Sequence, residues 1–332
     1  MPWSVRRVLK WTALFALLLV SGCSSLTSLY FYPQTVWIQT PENLGLSYQD
    51  VWLQAADGTQ LHAWWLPPQL PSQLPSQLPS QRPLTADAAE PDKSVSLDKG
   101  AGLGNTAMPA DRSAVAAADT VVLYLHGNAE NISSHIRSVD WLPKAGVGVL
   151  ALDYRGFGAS QGRAMMPSVL QDVEAAAAWL QQHQADKHLV VLGQSMGAAL
   201  AVNFVAAAGP LYGVDALLLD APFSGFPQVA RAALTSSWLG WLFVPGSWLI
   251  PSQWNPADLA PRINVPTLVM HSEQDQVIPV QQGRKVFEQL SGSRCWLDSR
   301  GPHVASFLFE DIRLVSQEFI LSRSCGNLPR LP

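Results

Sequence analysis

Charge is scarce in this chain. Of its 332 residues, 14% are Asp, Glu, Lys or Arg, and the formal net charge is −4. No basic block stands out of that sparse pattern, which argues against a nucleic-acid partner. Cysteine is rarer still, at three in the whole chain. Long apolar runs are also missing near the start: Trp11–Val20 holds only about ten residues, too few to cross a bilayer. What the chain does have is 48% hydrophobic residues, enough for a large core, and 13 Trp against 6 Tyr and 11 Phe. The length alone suggests about two domains, but α/β folds of this size are often one.

The first segment has the order of an export signal. Arg6, Arg7 and Lys10 precede the apolar run, and Val20-Ser21-Gly22-Cys23 follows it. That tetrapeptide resembles the lipobox of bacterial lipoproteins. The resemblance implies removal of residues 1–22, lipidation of Cys23 and a membrane attachment through that anchor. Ser24 after the cysteine then implies the periplasmic side of an outer membrane. With Cys23 used, Cys295 and Cys325 remain, and an exported protein permits one disulfide between them. Two buried thiols remain the other possibility.

The rest reads as one domain over residues 23–332. Residues 30–66 carry early strand signals: Tyr30–Val36 is aromatic and β-branched, and residues 51–67 alternate around the Asp57-Gly58 turn. From 67 to 119 a proline repeat gives way to Ala-, Gly-, Asp- and Ser-rich sequence, the signature of an unstructured insertion. Strand-like runs then resume at residues 120–125, 147–152, 189–192, 216–219, 267–270 and 294–297. Helical patterns separate several of them, as at residues 167–183. Such alternation predicts an α/β fold, a mostly parallel sheet flanked by helices.

The run Leu189–Gly209 organises this pattern. A β-branched stretch enters Gly193-Gln194-Ser195-Met196-Gly197, and small helix-forming residues leave it. Strand, sharp turn and helix with serine at the apex make a nucleophile elbow. The turn is tight enough that side chains at 193 and 197 would meet backbone. The helix start turns free N–H groups toward the serine.

A serine needs a base, and the base needs an orienting acid. Seven histidines compete. His126 lies in a strand-end His-Gly motif and His62 in an early strand, while His135, His183 and His188 lie in polar helices or loops. His271 is too near the candidate acid in sequence to be its natural partner. His303 follows the last strand, at the edge where the elbow opens, and is the expected base. Acid candidates between Ser195 and His303 are Asp215, Asp220, Asp258, Glu273, Asp275 and Asp298. Asp275 suits a strand-end loop best, and Asp220, also ending a strand, is the reserve. Oxyanion donors are expected from the Met196 amide and from the loop around Asn128.

These pieces together resemble the α/β-hydrolase superfamily of serine hydrolases, in its BEM46-like and ABHD12/13/17-like branch. The matching stretches are YFYP, DGTQLHAWWLP, LYLHGNAEN, LDYRGFGASQG, GQSMGA, HSEQDQVIP and GPH. The resemblance implies an α/β-hydrolase fold with Ser195 as nucleophile, Asp275 as acid, His303 as base, and Asn128 with Met196 as oxyanion donors. It also implies that Asp153 and Arg155 brace loops beside the elbow. The insertion and the sequence Gly301-Pro302-His303-Val304 depart from the family pattern.

Residues 222–261, after the sixth strand, form the expected cap. Trp238, Trp241, Phe243, Trp248 and Trp254 there could roof an acyl pocket, meet a membrane interface or simply pack on the sheet. The expected activity is hydrolysis of a carboxylic ester or thioester with an acyl or lipid-like substrate. No cofactor and no metal are called for. A serine peptidase of the same fold and a non-catalytic envelope lipoprotein are the alternatives.

Overall fold

The computed structural model describes residues 27–69, 116–235, 250–326 and 328. The signal segment, Cys23, most of the insertion, and Trp238, Trp241, Phe243 and Trp248 of the expected cap lie outside these residues. Eight strands form one sheet in the order β1-β2-β4-β3-β5-β6-β7-β8. They are β1 (Gln49–Gln54), β2 (Gln60–Leu66), β3 (Thr120–Leu125), β4 (Gly148–Asp153), β5 (His188–Gln194), β6 (Val214–Asp220), β7 (Thr267–Ser272) and β8 (Arg294–Ser299). The β1–β2 hairpin is antiparallel and joins β4 antiparallel, whereas β4, β3 and β5 to β8 run parallel.

Among the described residues, five longer helices flank the sheet: α1 (Ser168–His183), α2 (Met196–Ala208), α3 (Phe226–Thr235), α4 (Val280–Gln289) and α5 (Glu310–Ser322). Side chains alternate across each strand, so one strand feeds two cores. Leu123, Val191, Leu217 and Leu219 face one core with Val173 and Ala177 of α1 and Ala198 and Val202 of α2. Val122, Tyr124, Val190, Leu192 and Leu218 face the other with Ile312, Val315 and Phe319 of α5. Burial on both faces is why these central strands read as continuous apolar runs.

Two expectations change at the margins. Tyr30–Val36 is not a sheet strand. An isolated bridge between Pro33 and Glu130 and a hydrogen bond from the Gly158 amide to the Gln34 carbonyl at 2.9 Å tie it to neighbouring loops. Pro33 has no N–H to donate. Side chains instead take up much of the arm's backbone polarity: Asn131 Nδ2 donates to the Gln34 and Val36 carbonyls, each at 2.9 Å. The cysteine alternatives also resolve. Cys295 and Cys325 are disulfide-bonded with Cα atoms 5.5 Å apart, tying the segment after α5 to the edge strand β8. Closing a loop of this length stabilises a fold by on the order of 3 kcal/mol in the chain-entropy account. Among the described residues, no helix is long and apolar enough to cross a membrane, and no cluster of His, Cys, Asp and Glu forms a metal site.

Candidate active site

Ser195 sits between β5 and α2 with φ 53° and ψ −112°. That conformation is costly for a residue with a Cβ and holds only where the surroundings impose it. Here the Ser195 amide donates to the Asp220 carbonyl at 2.9 Å. A Cβ at Gly197 would run into the Leu125 carbonyl oxygen, and one at Gly193 would lie 2.7 Å from the Ala198 Cα. The two glycines thus let the strand, turn and helix stack without backbone collision. The outcome is a buried serine whose Oγ projects at the carboxyl edge of the sheet.

His303 meets it from the loop after β8. Its Nε2 is 2.8 Å from Ser195 Oγ, and its Nδ1 is 2.6 Å from Asp275 Oδ2. Asp275 leaves the end of β7, and its other oxygen accepts the Val277 and Ile278 amides at 2.8 and 2.9 Å. Burial pushes the Asp275 pKa up, but the hydrogen bonds from His271, His303 and Ile278 and the His303 charge outweigh it. The net effect holds this carboxyl below the usual carboxylate range. An ionised carboxylate here orients the imidazole and stabilises its charged form.

His271, set aside on sequence distance, is part of this arrangement. Its Nε2 lies 2.9 Å from the Ile278 carbonyl and 3.3 Å from Asp275 Oδ2. A carbonyl only accepts, so Nε2 carries the proton and shares it with the carboxylate. The ring is fully buried, and a Cβ at Gly283 of α4 would strike its Nδ1. Asp275 lies only four positions after His271, but the chain reverses after β7 and brings the two together.

The other acid candidates point elsewhere. Asp220 is fully buried, and its carboxylate accepts from Gln194 Nε2 at 2.8 Å and Ser306 Oγ at 2.6 Å. Gln194 in turn accepts from Tyr124 Oη at 2.5 Å and lies 3.4 Å from the Val304 carbonyl. Burial raises the Asp220 pKa more than Ser306, Gln194 and the nearby histidines lower it. Asp215 pairs with His188, Asp258 with Asn255, and Asp298 with Arg284. Glu273 is exposed.

The Met196 amide is the first of α2, where helix N–H groups lack intrahelical acceptors. Asn128 faces Ser195 across a cavity of about 190 Å³. Its side chain is committed to the N-terminal arm: Oδ1 accepts the Tyr32 amide at 3.0 Å and Nδ2 donates to the Tyr30 carbonyl at 2.5 Å. The next residues, Ala129 and Glu130, have φ of 67° and 56°, a left-handed turn that shapes this loop. Phe223, Val229, Val277, Ile278 and Val304 give the cavity an apolar wall. His135 also lines it, which its place in a polar helical turn did not signal. Burial lowers the His135 pKa, and its ring stacks on His126 at 5.2 Å.

Asp153 and Arg155, expected to brace loops beside the elbow, are both buried. Arg155 clamps Asp172 of α1 at 2.6 Å and reaches Asp57 in the β1–β2 turn at 2.6 Å. Asp153 accepts the Ile132 amide at 2.8 Å. His126 is fully buried and donates from Nδ1 to the Gly127 carbonyl at 2.7 Å. None of these touches the Ser195 hydroxyl.

Known proteins share this construction. The family model for serine aminopeptidase S33 matches residues 116–259. The uncharacterized protein YfhR of Salmonella typhi is 29% identical over 304 residues, covering 85% of this chain and 83% of that protein. Lysophosphatidylserine lipase ABHD12 of Danio rerio is 29% identical over 189 residues, covering 52% of this chain and 48% of that protein. The chain thus spans about half of that lipase. The Pyrococcus furiosus esterase Pf2001 superposes with a TM-score of 0.62 at 19% identity, covering 90% of this chain and 99% of the esterase. At that identity the likeness speaks for the fold. With the mostly parallel sheet and its flanking helices, these likenesses mean that the chain belongs to the α/β-hydrolase superfamily.

Proposed function

We propose that the protein is a serine hydrolase of carboxylic esters or thioesters with an acyl or lipid-like group, tethered to the bacterial envelope through Cys23. What carries the reading is the hydrogen-bonded line from Ser195 Oγ through His303 to Asp275, at 2.8 and 2.6 Å, beside an apolar cavity. The likeness to a lysophosphatidylserine lipase supports a lipid-like substrate.

In this mechanism Ser195 Oγ attacks the carbonyl carbon while His303 Nε2 takes its proton. Asp275 stabilises the imidazolium that forms and is not itself protonated. The carbonyl oxygen becomes an oxyanion held by the Met196 and Asn128 backbone amides. Each such donor is commonly worth about 3 kcal/mol in the transition state. Collapse expels the alcohol or thiol, which leaves with the proton from His303. Water, deprotonated by His303, then attacks the acyl-Ser195 ester. The acid departs and the proton returns to Ser195.

A serine peptidase of the same fold is the second reading, favoured by the description of the matched family model. One assay separates the two. Nitrophenyl esters of increasing chain length and aminoacyl nitroanilides are offered to the wild type and to Ser195→Ala. Ester turnover that is abolished in Ser195→Ala is the expected result. Nitroanilide turnover without ester turnover moves the assignment to peptidase, and full ester activity in Ser195→Ala removes Ser195 from the chemistry.

A further inference from the structure

The N-terminal arm carries an unusual exposed surface. Tyr32, Val36, Ile38 and Trp52 are 64%, 73%, 69% and 53% exposed, and Trp37 is 37% exposed. Single exposed apolar residues are ordinary, but a clustered set marks an interaction surface. These five cluster because of what holds them. The Tyr32 amide is bonded to Asn128 and the Ile38 amide to Ser133 Oγ at 3.0 Å. Trp37 and Trp52 both lie against His62, at 5.2 and 5.0 Å between ring centroids.

The register fixes where this surface lies. Trp52 of β1 pairs with His62 of β2, and His62 pairs with Asp153, the last residue of β4. The patch therefore occupies the carboxyl edge of the sheet, the edge at which Ser195 opens. It begins at Asn128, which lines the cavity, and runs outward to the edge strand. Val277, on the cavity wall, is 61% exposed at the same edge.

We propose that this face docks on a lipid bilayer, with the mouth of the Ser195 cavity turned toward the membrane. The inference rests on the tethered-hydrolase reading above. Residues 11–41 contain no Asp, Glu, Lys or Arg, so no charge in the arm must be brought to the interface. Trp and Tyr favour the headgroup level, where the ring is half in hydrocarbon and its polar atom stays wet. The described chain starts at Thr27, four residues beyond Cys23. Four residues of any conformation span at most about 14 Å, so an acyl anchor on Cys23 keeps the start of this arm near the bilayer. The arm is already fixed by Asn128, Asn131 and Ser133, so docking orders little new backbone. A lipid-like substrate then reaches the cavity from the layer in which it dissolves.

The test uses residues 23–332 carrying Cys23→Ser, so that no acyl chain contributes. Flotation with phosphatidylethanolamine–phosphatidylglycerol vesicles is compared among this chain, its Val36→Asp/Ile38→Asp form and its Leu211→Asp form. Leu211 is 72% exposed but precedes β6, at the opposite edge of the sheet. The expected result is co-flotation of the parent and of Leu211→Asp, with vesicle partition at least tenfold weaker for Val36→Asp/Ile38→Asp. All three should turn over soluble nitrophenyl acetate alike. That turnover reports the Ser195 chemistry separately, and the mass of the native N-terminus reports the tether separately. A parent that does not float, or three chains that float equally, overturns the inference. So does a parent that dimerises without vesicles and is returned to monomer by Val36→Asp/Ile38→Asp, because a second copy then covers the face.

Discussion

The ends of β6 and β7 invite comparison because each has a buried aspartate at or just beyond it: Asp220 closes β6, and Asp275 lies three residues after β7. Asp220 and Asp275 come from adjacent parallel strands, and both are buried. Their environments nevertheless drive them in opposite directions. Asp275 receives two backbone amides and two imidazoles, and its pKa falls. Asp220 receives one amide side chain and one hydroxyl, and burial wins. The first is placed to orient His303. The second builds the bed of the histidine loop, through Ser306 on one side and Gln194 on the other. Position at a strand end does not separate these roles; the donors facing the carboxylate do.

The largest test of that contrast is Asp275→Asn. It should lower kcat by about 10⁴-fold, since the imidazole loses the carboxylate that sets its tautomer, while the fold persists. Ester kinetics beside a thermal melt would check both halves. Asp220→Ala should invert the pattern. Leaving Gln194 and Ser306 without their buried acceptor should cost about 1–3 kcal/mol of stability, read by denaturant unfolding, with at most about a tenfold loss of kcat in the folded protein. If Asp220→Ala proves the more inactivating of the two, the assignment of roles is reversed.

His271 sharpens the comparison, because it donates only to the Asp275 side. His271→Ala removes one hydrogen bond to a charged group, on the order of 1.5 kcal/mol or about tenfold in kcat with KM unchanged. His271→Gln keeps an N–H at that reach and should recover most of the loss. A purely structural role would lower stability without that recovery of kcat.

The smallest effect lies in acid stability, and the two aspartates contribute with opposite sign. The Asp275 pKa is depressed on folding. Its contribution is therefore complete above the ordinary carboxylate pKa and is lost as pH falls toward the folded value. The Asp220 pKa is raised, so the fold loses stability from that group as pH rises from the ordinary carboxylate range toward the folded value. Unfolding free energies measured down through the carboxylate range should show the gap between wild type and Asp275→Asn closing as the solution becomes more acid.

The sheet and elbow were legible in the sequence because their constraints are local. Apolar β-branched runs mark strands buried on both faces, and Gly193 and Gly197 mark the turn between them. The order Ser195, Asp275, His303 follows from strand ends meeting at one edge. What escaped was decided by tertiary contact. Tyr30–Val36 has the composition of a strand, but Pro33 and the amide side chains of Asn128 and Asn131 make it an arm across loops. His271 looked too close to Asp275, yet the turn after β7 folds its ring back onto the carboxylate. His135 reads as a polar helical residue, and only the packing of its short helix against His126 brings it to the cavity. The cap region was the least legible: Trp238, Trp241 and Trp248 fall at helical spacing, but Pro245 and Gly246 break into the run. Trp254, in its described part, packs partly buried against the core beside α2, where Asn203 donates to its carbonyl at 2.9 Å.

The central claim is that Ser195 is a nucleophile activated by His303. Intact-protein and peptide mass spectrometry after reaction with a fluorophosphonate tests it most directly. The account predicts one adduct per chain, on the peptide containing Ser195, at a rate reduced by orders of magnitude in His303→Ala and with no adduct in Ser195→Ala. An adduct on another residue, or equal labelling of the wild type and His303→Ala, would contradict it.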